Sequence, residues 1–388
     1  MTEATLKPGW CKWRFDQIAI NVNDRIDNPS ESDFEYYVGL EHIDSDSLKL
    51  RRWGSPSDVE STKLIFRKGD IIFGKRRVYQ RKVAVAEFDG ICSAHALVLR
   101  ANSDVILPGL LPFLMQSNLF MERAKSISVG SLSPTINWKT LAKEEISLPS
   151  LEQQKKITDL LQCLERVLED QRSIELQAKV LTESLFSQFI SQDWPIVSLK
   201  SSVQGTQYGL STNAGESGTY PILRMMNIEN GLCVENDIKY LDLSIDDFET
   251  YRLENGDVLF NRTNSYELVG RTGVYTLEGD HVFASYLVRV KVKEDKLDPY
   301  YLTTYLNSDR GRQQVLSFAT RGVSQSNVNA QNLLRVKIPL PPLDKQKDLL
   351  KRYQSVWKSS LAAGDRRYSV ELLKKKYLNQ IFPVGDYH

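Results

Sequence analysis

Several kinds of segment are missing from this sequence of 388 residues, and each absence excludes a class of protein. No apolar run approaches the roughly 18–20 residues that a helix needs to cross a bilayer. The first ten residues, MTEATLKPGW, lack the apolar core of a secretory signal. From these two absences we expect a cytoplasmic protein.

Metal-binding and disulfide-linked architectures are also disfavoured. The chain has four cysteines, at Cys11, Cys92, Cys163 and Cys233. They lie far apart with no paired spacing, which argues against a zinc site and against a disulfide framework. The four histidines are equally scattered, and none shares a metal-ligand spacing with an acidic neighbour. We therefore expect no metal and no cofactor.

Signatures of catalysis are missing as well. The sequence contains no Asn/Asp-Pro-Pro-aromatic stretch for amino-methylation and no Gly-x-Gly element for a glycine-rich cofactor loop. Acid-x-Lys triplets such as 237–239 occur and could hint at a metal-dependent nuclease. They are expected by chance because 26% of the residues are charged. An enzymatic function of the chain itself is therefore disfavoured.

The stretch GDIIFGKR at 69–76 comes close to a phosphate-binding loop. Two glycines stand five residues apart before Lys75, but Arg76 occupies the place where serine or threonine would hold magnesium. The interior residues Ile-Ile-Phe are typical of a strand rather than of a flexible loop. The pattern therefore indicates a strand that carries positive charge at its end.

The overall composition is that of an ordinary globular protein. Apolar residues make up 41% of the chain and aromatic residues 10%. The length allows two or three domains, each with its own core. The formal net charge of +1 is a mild argument against nucleic acid as a partner. Local charge matters more, however, because an electrostatic footprint can occupy one face only.

The chain repeats itself at an offset near 190 residues. LPSLEQQKKI at 148–157 matches LPPLDKQKDL at 340–349, and VGSLSPTIN at 129–137 matches RGVSQSNVN at 321–329. Further upstream, SAHALV at 93–98 matches FASYLV at offset 190, and KGDIIF at 68–73 matches NGDVLF at offset 187. These matches indicate a tandem duplication of one unit.

A long helix is predicted at the end of each copy. Eight of ten seam positions in the first copy are apolar. Apolar residues recur in steps of three and four at Ile157, Leu160, Leu164, Val167, Ile174, Ala178, Leu181 and Leu185, with Gln171 and Gln188 in the remaining places. This period is typical of a coiled coil. Ser150 and Gln153 form a candidate capping box, and the helix is expected to end near Ile190.

The second helix is predicted from Leu343 to Phe382 with a weaker pattern. Its seam comprises Leu350, Tyr353, Trp357, Leu361, Tyr368, Leu372, Leu378 and Phe382. Gly364 costs about 1 kcal/mol relative to alanine and is a candidate kink. Each helix of about 40 residues would be about 60 Å long. A rod of that kind needs a partner, and the nearest one is the other copy, packed antiparallel. The alternative is that each seam lies on its own globular domain.

The remaining parts of both copies are predicted to be mixed α/β domains. Strands are expected at 71–73, 82–88, 96–100, 258–260 and 286–292, with helices around 109–125 and 300–316. The domain boundaries follow from the helix predictions. We expect a first globular domain at 1–148, a long helix at 149–191, a second globular domain at 192–340 and a second long helix at 341–384.

Polar and basic loops of the two copies supply the candidate binding residues. Residues 67–82 contain seven basic side chains against one acid, and the second copy has NRTNSYELVGR at the equivalent place. Arginine and lysine neutralise phosphates, and arginine also grips a guanine edge with two hydrogen bonds. The alternative is a solvated hairpin tip. The candidate DNA-binding residues are Lys75, Arg76, Arg77, Tyr79, Arg81, Lys82, Ser131, Ser133, Thr135, Asn137, Arg262, Asn264, Tyr266, Arg271, Arg321, Ser324, Gln325, Asn327 and Asn329.

With this layout the sequence strongly resembles the specificity (S) subunits of type I restriction-modification systems. The resemblance is carried by the two LPxL[ED]xQK blocks at 148–155 and 340–347, each opening a long helix, and by the repeated GD-strand. It covers essentially the whole chain. The fold class that follows is α/β (α+β), with two mixed α/β target recognition domains, two long antiparallel coiled-coil helices and a pseudo-two-fold internal repeat.

The resemblance also implies a function. Such a subunit would be non-catalytic and would read a bipartite, asymmetric site on double-stranded DNA, with paired helices that set the half-site spacing. Its partners would be two methyltransferase (M) subunits and, in the full complex, restriction/translocase (R) subunits. Two alternatives remain from the sequence: a single-chain DNA-modifying enzyme, either methyltransferase or nuclease, and a coiled-coil scaffold.

Overall fold

The computed structural model of the chain describes residues 8–322 and 325–384. Its contacts divide the chain into two compact units. Unit 1 comprises residues 1–173 together with 363–388, and unit 2 comprises residues 174–362. Within the described part of the chain, none of the helices combines the length and the apolar character that crossing a membrane requires.

Unit 1 contains short strands and helices that lead into one long helix. The strands are β1 (Cys11–Arg14), β2 (Ala19–Val22), β3 (Arg25–Ile26), β4 (Tyr37–Val38), β5 (Lys63–Phe66), β6 (Ile71–Gly74), β7 (Val83–Val85), β8 (Gly90–Cys92), β9 (Ala96–Ala101) and β10 (Glu145–Leu148). The helices are α1 (Phe15–Ile18), α2 (Leu111–Gln116), α3 (Asn118–Ser126), α4 (Trp138–Leu141) and the long α5 (Leu151–Ile190). The end of α5 belongs to unit 2.

Two sheets and a ribbon make up the globular part of unit 1. The strand orders are β2-β9-β6-β7 and β3-β5-β8-β4, and β1 pairs antiparallel with β10 just before α5. Strand β6 joins the two hydrophobic cores of the unit. Ile71 and Phe73 lie in the core that contains α2 and α3, whereas Ile72 lies in the core formed with the second sheet. This alternation explains why all three residues are apolar.

Unit 2 likewise contains short strands and helices that lead into one long helix. Its strands are β11 (Ile196–Ser198), β12 (Val203–Tyr208), β13 (Tyr220–Leu223), β14 (Ile228–Glu229), β15 (Leu232–Cys233), β16 (Lys239–Leu241), β17 (Val258–Asn261), β18 (Thr263–Asn264), β19 (Thr272–Val274), β20 (Val282–Phe283), β21 (Leu287–Val292), β22 (Thr320–Arg321), β23 (Ser326–Asn327) and β24 (Lys337–Pro339). Its helices are α6 (Ile245–Tyr251), α7 (Pro299–Asn307), α8 (Asp309–Ser317), α9 (Ala330–Arg335) and the long α10 (Leu343–Ile381), which ends in unit 1.

The sheets of unit 2 follow the plan of unit 1 with an extended main sheet. The strand orders are β12-β21-β17-β19-β15-β14, β16-β13-β20 and β18-β23-β22, and β11 pairs with β24 before α10. Strand β17 again contributes to two cores, with Val258 and Phe260 on one face and Leu259 on the other. The internal repeat predicted from the sequence is therefore present in the fold.

The repeated Gly-Asp pair forms the turn before β6 and before β17. Gly69 and Gly256 both have φ of +93°, a backbone conformation that favours glycine. The carboxylates of Asp70 and Asp257 accept backbone N–H bonds at 2.8 and 2.9 Å within these turns. Asp70 also pairs with Arg100 at 2.7 Å. The motif is thus explained by the turn it builds.

Strand register corrects one part of the sequence alignment. Gly74 pairs with Ala96 in unit 1, and Asn261 pairs with Leu287 in unit 2. If β6 and β17 are equivalent, Ala96 corresponds to Leu287. The offset between these two strands is then 191 residues, one more than the 190 obtained by aligning SAHALV with FASYLV. The sequence alignment was displaced because identical residues in the two segments match best one position away from the structural equivalence.

The two long helices pack antiparallel within each unit. In unit 1, Lys374 near the end of α10 donates to Glu165 near the start of α5, and Leu161 and Leu378 share one core. In unit 2, Phe186 and Ile190 of α5 share a core with Leu349 and Leu350 of α10. These long-helix residues also pack on the globular parts. Each long helix therefore buries apolar side chains both against the other long helix and against a domain surface, which were the two alternatives drawn from the sequence.

The boundaries of the long helices agree with the sequence, but the packing seam agrees only in part. The Ser150 hydroxyl accepts from the N–H of Gln153 at 3.4 Å, and α10 continues through Gly364. Three expected seam residues of α5, however, are 40–48% exposed: Leu160, Ile174 and Leu181. The buried stripe lies one residue further along at Thr158, Leu161, Leu168 and Phe186, whereas Ala178 is buried as predicted.

For the second helix the seam prediction is confirmed at Leu350, Leu378 and Phe382, which are buried. The expected seam residues Tyr368 and Leu372, however, are 62% and 51% exposed, while Lys374 is buried. The heptad prediction was wrong at the exposed positions because it assumed that only apolar residues would be buried between the helices. In the structure the buried stripe includes Thr158 and Lys374, which are satisfied by hydrogen bonds.

Candidate nucleic-acid interface

In unit 1 the backbone joins the cationic end of β6 to the polar loop at 129–135, which we call loop L1. Arg76 and Thr135 form an antiparallel bridge, and the N–H of Ile136 donates to the carbonyl of Lys75 at 2.9 Å. On the other side of the same segment, the N–H of Lys75 donates to the carbonyl of His95 at 3.1 Å. Two predicted segments that are far apart in sequence are therefore neighbours.

Unit 2 repeats this arrangement with different residues. Thr263 pairs with Asn327, and the N–H of Val328 donates to the carbonyl of Arg262 at 2.8 Å. The N–H of Arg262 in turn donates to the carbonyl of Tyr286 at 2.9 Å. The end of β17 is thus attached to the loop at 320–327, which we call loop L2, by bonds equivalent to those of unit 1.

Loop L1 is closed at its base by backbone hydrogen bonds. Val129 and Thr135 exchange both backbone hydrogen bonds, at 3.1 and 3.0 Å. Arg77 is held against the loop because its N–H donates to the Pro134 carbonyl at 2.7 Å. The Ser133 hydroxyl accepts from Arg77 Nε at 3.2 Å and lies 3.4 Å from Arg76 Nη2. The loop therefore orients two guanidinium groups at one place.

An open pocket of about 360 Å³ lies beside these arginines. It is lined by Leu40, Glu41, Arg76, Arg77, Gln80, Lys82, Ser93 and His95. Burial lowers the pKa of the Lys75 ammonium, and the charge of Arg25 lowers it further. Burial also lowers the pKa of His95, with additional contributions from Arg76 and Lys75. The positive charges crowd one another here, which favours an anionic partner that would relieve the repulsion.

Some of the predicted residues of unit 1 are engaged within the fold. Arg81 pairs with Asp46 and donates to the carbonyl of Gln116, and Lys82 donates to the carbonyl of Leu40. The carboxamide of Asn137 caps α4 by accepting from the N–H of Lys139 at 3.0 Å. Asn137 remains exposed, as are Arg77, Tyr79 and Ser131.

In unit 2 the principal cation is supported by an aromatic ring. The guanidinium of Arg262 lies 4.8 Å from the ring centroid of Tyr208, and its Nη1 donates to the Ser285 carbonyl at 3.3 Å. The Tyr208 hydroxyl accepts from the N–H of Ala330 at 3.0 Å. Arg262 is therefore held in a defined orientation beside Tyr208 and Tyr286, which are 42% and 48% exposed.

The other predicted residues of unit 2 surround this cation to different degrees. The Asn327 amide donates to the Thr263 hydroxyl at 2.6 Å, and that of Asn264 lies 3.4 Å from the Met225 sulfur. Asn329 caps α9 by accepting from the N–H of Asn332 at 2.8 Å. Four of the described side chains are exposed: Tyr266, Arg271, Gln325 and Asn329. Ser324 and the side chain of Arg321 lie outside the described part of the structure.

Sequence reasoning missed His95, Tyr208 and Tyr286, which adjoin the cations of the two units. Tyr286 was detectable, because it directly precedes a strand in the repeated FASYLV block. His95 occupies the equivalent place in unit 1 once the register is corrected. Tyr208 had no local signal, because it ends a strand far from Arg262 in sequence and reaches that cation only through sheet pairing.

The glutamine of the LPxL[ED]xQK block also has a role that the sequence did not reveal. Gln154 is 1% exposed, accepts from the N–H of Leu107 at 2.9 Å and donates to the carbonyls of Val105 and Pro149. Gln346 is fully buried and makes the equivalent bonds to Asp298, Lys296 and Pro341. Each glutamine ties the start of a long helix to the loop that precedes α2 or α7.

Both sites are rich in cationic and polar side chains. Arginine, lysine, serine, asparagine and tyrosine supply hydrogen-bond donors for phosphates and base edges. Among the described residues there is no group of three or more His, Cys, Asp or Glu side chains that could hold a metal ion.

A family model described as the type I restriction modification DNA specificity domain matches this chain twice, at residues 57–178 and 201–362. The two matches cover most of the chain and coincide with its two copies. The chain belongs to the family of type I restriction-modification DNA specificity subunits. This membership confirms two expectations drawn from the resemblance, a specificity subunit and a non-catalytic one.

Individual relatives support the same assignment. The chain is 24% identical over 360 residues to the EcoKI specificity subunit of Escherichia coli K12, an alignment that covers 82% of this chain and 77% of the relative. It is 32% identical over 167 residues to a protein of Methanocaldococcus jannaschii assigned as the MjaX specificity subunit. That alignment covers 42% of this chain and 39% of the relative, which is less than two thirds of its length.

Solved structures agree in fold. A type I S subunit from M. genitalium superimposes with a TM-score of 0.62 at 14% identity over 98% of each chain. A chain from a type I restriction-modification system, solved for its complex assembly and conformational transition, gives a TM-score of 0.55 at 22% identity. It covers 98% of this chain and 99% of that chain. The predicted fold class is thereby confirmed.

Proposed function

We propose that this specificity subunit reads a bipartite, asymmetric site on double-stranded DNA, with one half-site bound by each globular domain. The observation that carries the proposal is the equivalent joining of a cationic strand end to a polar loop in both units. The side chains at this shared place differ, with Lys75 and Arg76 in one copy and Arg262 and Thr263 in the other. Unlike side chains on a common scaffold suit the reading of two unlike half-sites.

In the first domain, Lys75, Arg76 and Arg77 would neutralise phosphates or bind guanine, while Tyr79, Ser131, Ser133 and Thr135 add polar contacts at L1. Arg81, Lys82 and Asn137 would act by holding the loops in place, as their internal bonds suggest. In the second domain, Arg262 and Asn264 would face the DNA with Tyr266, Arg271, Gln325 and Asn327. We keep Arg321 and Ser324 in this set on sequence grounds, and Asn329 as the cap that positions L2.

We further infer that the long helices set the distance between half-sites. The recognition domains would then correspond to 1–148 and 192–340, with spacer helices at 149–191 and 341–384. Each helix of about 40 residues corresponds to about 60 Å. That length is enough to address major-groove faces one or more helical turns apart. The buried glutamines Gln154 and Gln346 support a rigid connection between each helix and its domain.

Methyltransferase subunits would dock along the long helices. Three apolar side chains of α5 in unit 2 are 48–62% exposed: Leu176, Val180 and Leu181. Three side chains of α10 in unit 1 are 51–62% exposed: Tyr368, Leu372 and Leu373. Exposed apolar groups along a helix suit a helical partner. By this proposal two M subunits bind the chain, R subunits join the full complex, and the assembly works in the cytoplasm.

The test is selection of bound sequences from a random DNA pool by the chain reconstituted with its methyltransferase subunits. We expect two short conserved blocks separated by a spacer of fixed length and free sequence. A single block, or no enrichment, would contradict the proposal. Methylation by the chain alone with S-adenosylmethionine would favour the single-chain enzyme, and partner binding without any salt-dependent DNA affinity would favour the scaffold.

A further inference from the structure

Loop L1 carries an exposed leucine at its tip. Leu132 is the central residue of the seven-residue loop and is 91% exposed, and Val129 at the base is 79% exposed. An isolated apolar group on a surface needs no explanation by itself. This one stands beyond a fixed base, on a loop that also orients two arginines through Ser133.

The width of L1 indicates which groove of the DNA it would enter. One reciprocal pair of backbone bonds, between Val129 and Thr135, closes the loop, so two chain segments lie side by side at its base. The major groove of B-DNA is about 12 Å wide and admits two adjacent chain segments, whereas the minor groove is only about 6 Å wide. Arg76 and Arg77 at the base of the loop would meet the phosphates that border the groove.

The apolar side chain of Leu132 at the loop tip then indicates which group of the bases it would contact. In the major groove, the 5-methyl group of thymine is the apolar feature of the natural base pairs. We propose that Leu132 reads the 5-methyl group of a thymine in the half-site bound by the first domain. This inference rests on the proposed function and adds one specificity-determining residue, which the sequence analysis did not single out.

The experiment replaces each thymine of that half-site by uracil, one position at a time. Affinity is measured for the reconstituted complex carrying the unchanged chain or Leu132→Ala. We expect one replacement to weaken binding of the unchanged chain about fourfold, the ratio for about 0.8 kcal/mol per buried methyl group. With Leu132→Ala the same replacement should have no effect, while the other positions behave as before.

Two controls keep the outcome decisive. Leu132→Met retains an apolar tip and should retain the thymine preference, whereas Ile245→Ala removes an exposed side chain from unit 2 and should change nothing. A uracil penalty that is unchanged in Leu132→Ala, or a half-site whose thymines all tolerate uracil, would overturn the inference while leaving the proposed function intact. Failure of the unchanged complex to prefer any sequence would overturn both.

Discussion

Ser133 shows how a small polar residue organises the larger charged ones around it. Its hydroxyl lies within 3.4 Å of two guanidinium groups, so Arg76 and Arg77 are oriented before any ligand arrives. The sequence predicted all three residues as DNA-binding candidates, but on two separate segments. It did not separate them from Arg81 and Lys82, which bond within the fold, because a local charge run carries no information about long-range partners such as Asp46 and Leu40.

Replacing Arg77 by alanine should weaken DNA binding about tenfold, since a hydrogen bond to a charged group is worth roughly 1.5 kcal/mol. The slope of log affinity against log salt should fall by about 0.9 for one lost phosphate contact. Arg67→Ala is the matched control, because Arg67 belongs to the same basic run but bonds to Asp89 at the other end of β6. Equal losses in both variants would show that only overall charge matters.

The affinity for DNA should depend on pH because of His95. The pKa of His95 is lowered by burial and by the charges of Arg76 and Lys75. Bound phosphates would neutralise those charges and raise the pKa, so the complex would hold the proton more strongly than the free chain. Affinity should therefore increase as the pH falls from 8 toward 6, by more in the unchanged chain than in His95→Gln. Binding curves at a series of pH values measure this difference, and identical pH profiles would contradict the contact.

At the scale of elements, the long helices illustrate what periodicity can and cannot predict. The start at Ser150 and the end at Ile190 followed from capping residues and polar stretches, which are local signals. The buried face followed only in part, because it is determined by what the helix meets in three dimensions. Thr158 and Lys374 are buried since hydrogen-bonding partners are available to them.

Gln154→Ala should destabilise the first unit by about 3 kcal/mol. The substitution leaves three backbone groups without their side-chain partner, and a buried unsatisfied group costs about 1–3 kcal/mol. Gln346→Ala should act in the same way on the second unit. Chemical denaturation of each variant provides the measurement, with the exposed neighbour Lys155→Ala as the control. A loss no greater than that of the control would show that the repeated glutamine does not stabilise the helix start.

Substitution of Lys374 tests the interaction between the two long helices in unit 1. Lys374→Ala removes the partner of Glu165 and the donor to Gln116, so we expect a loss of about 2 kcal/mol, reduced from the fully buried case because Glu165 is partly exposed. The exposed Lys375→Ala should have little effect. Adding Glu165→Leu to Lys374→Met should recover most of the stability, since an apolar pair replaces the ion pair. Additive losses in the double variant would argue against a direct interaction.

At the scale of the molecule, duplication explains features that neither half explains alone. The shared backbone bonds at Lys75 and Arg262 show that the framework was retained while the side chains diverged. The repeat was visible in the sequence because turns, strand ends and the buried glutamine constrain their residues. The aromatic support of Arg262 by Tyr208 was not visible, because it occurs in one copy and depends on sheet pairing.

The most direct test of the account lengthens both long helices by one heptad, after Ser173 in α5 and after Ala362 in α10, where the two units meet along the chain. Seven residues add about 10 Å of helix, which corresponds to at most about three base pairs of DNA. Sequences selected by the lengthened and unchanged complexes should contain the same two half-sites, separated by a longer spacer in the lengthened one. An unchanged spacer with intact binding, or altered half-sites, would contradict the claim that the helices fix the distance between two independent recognition domains.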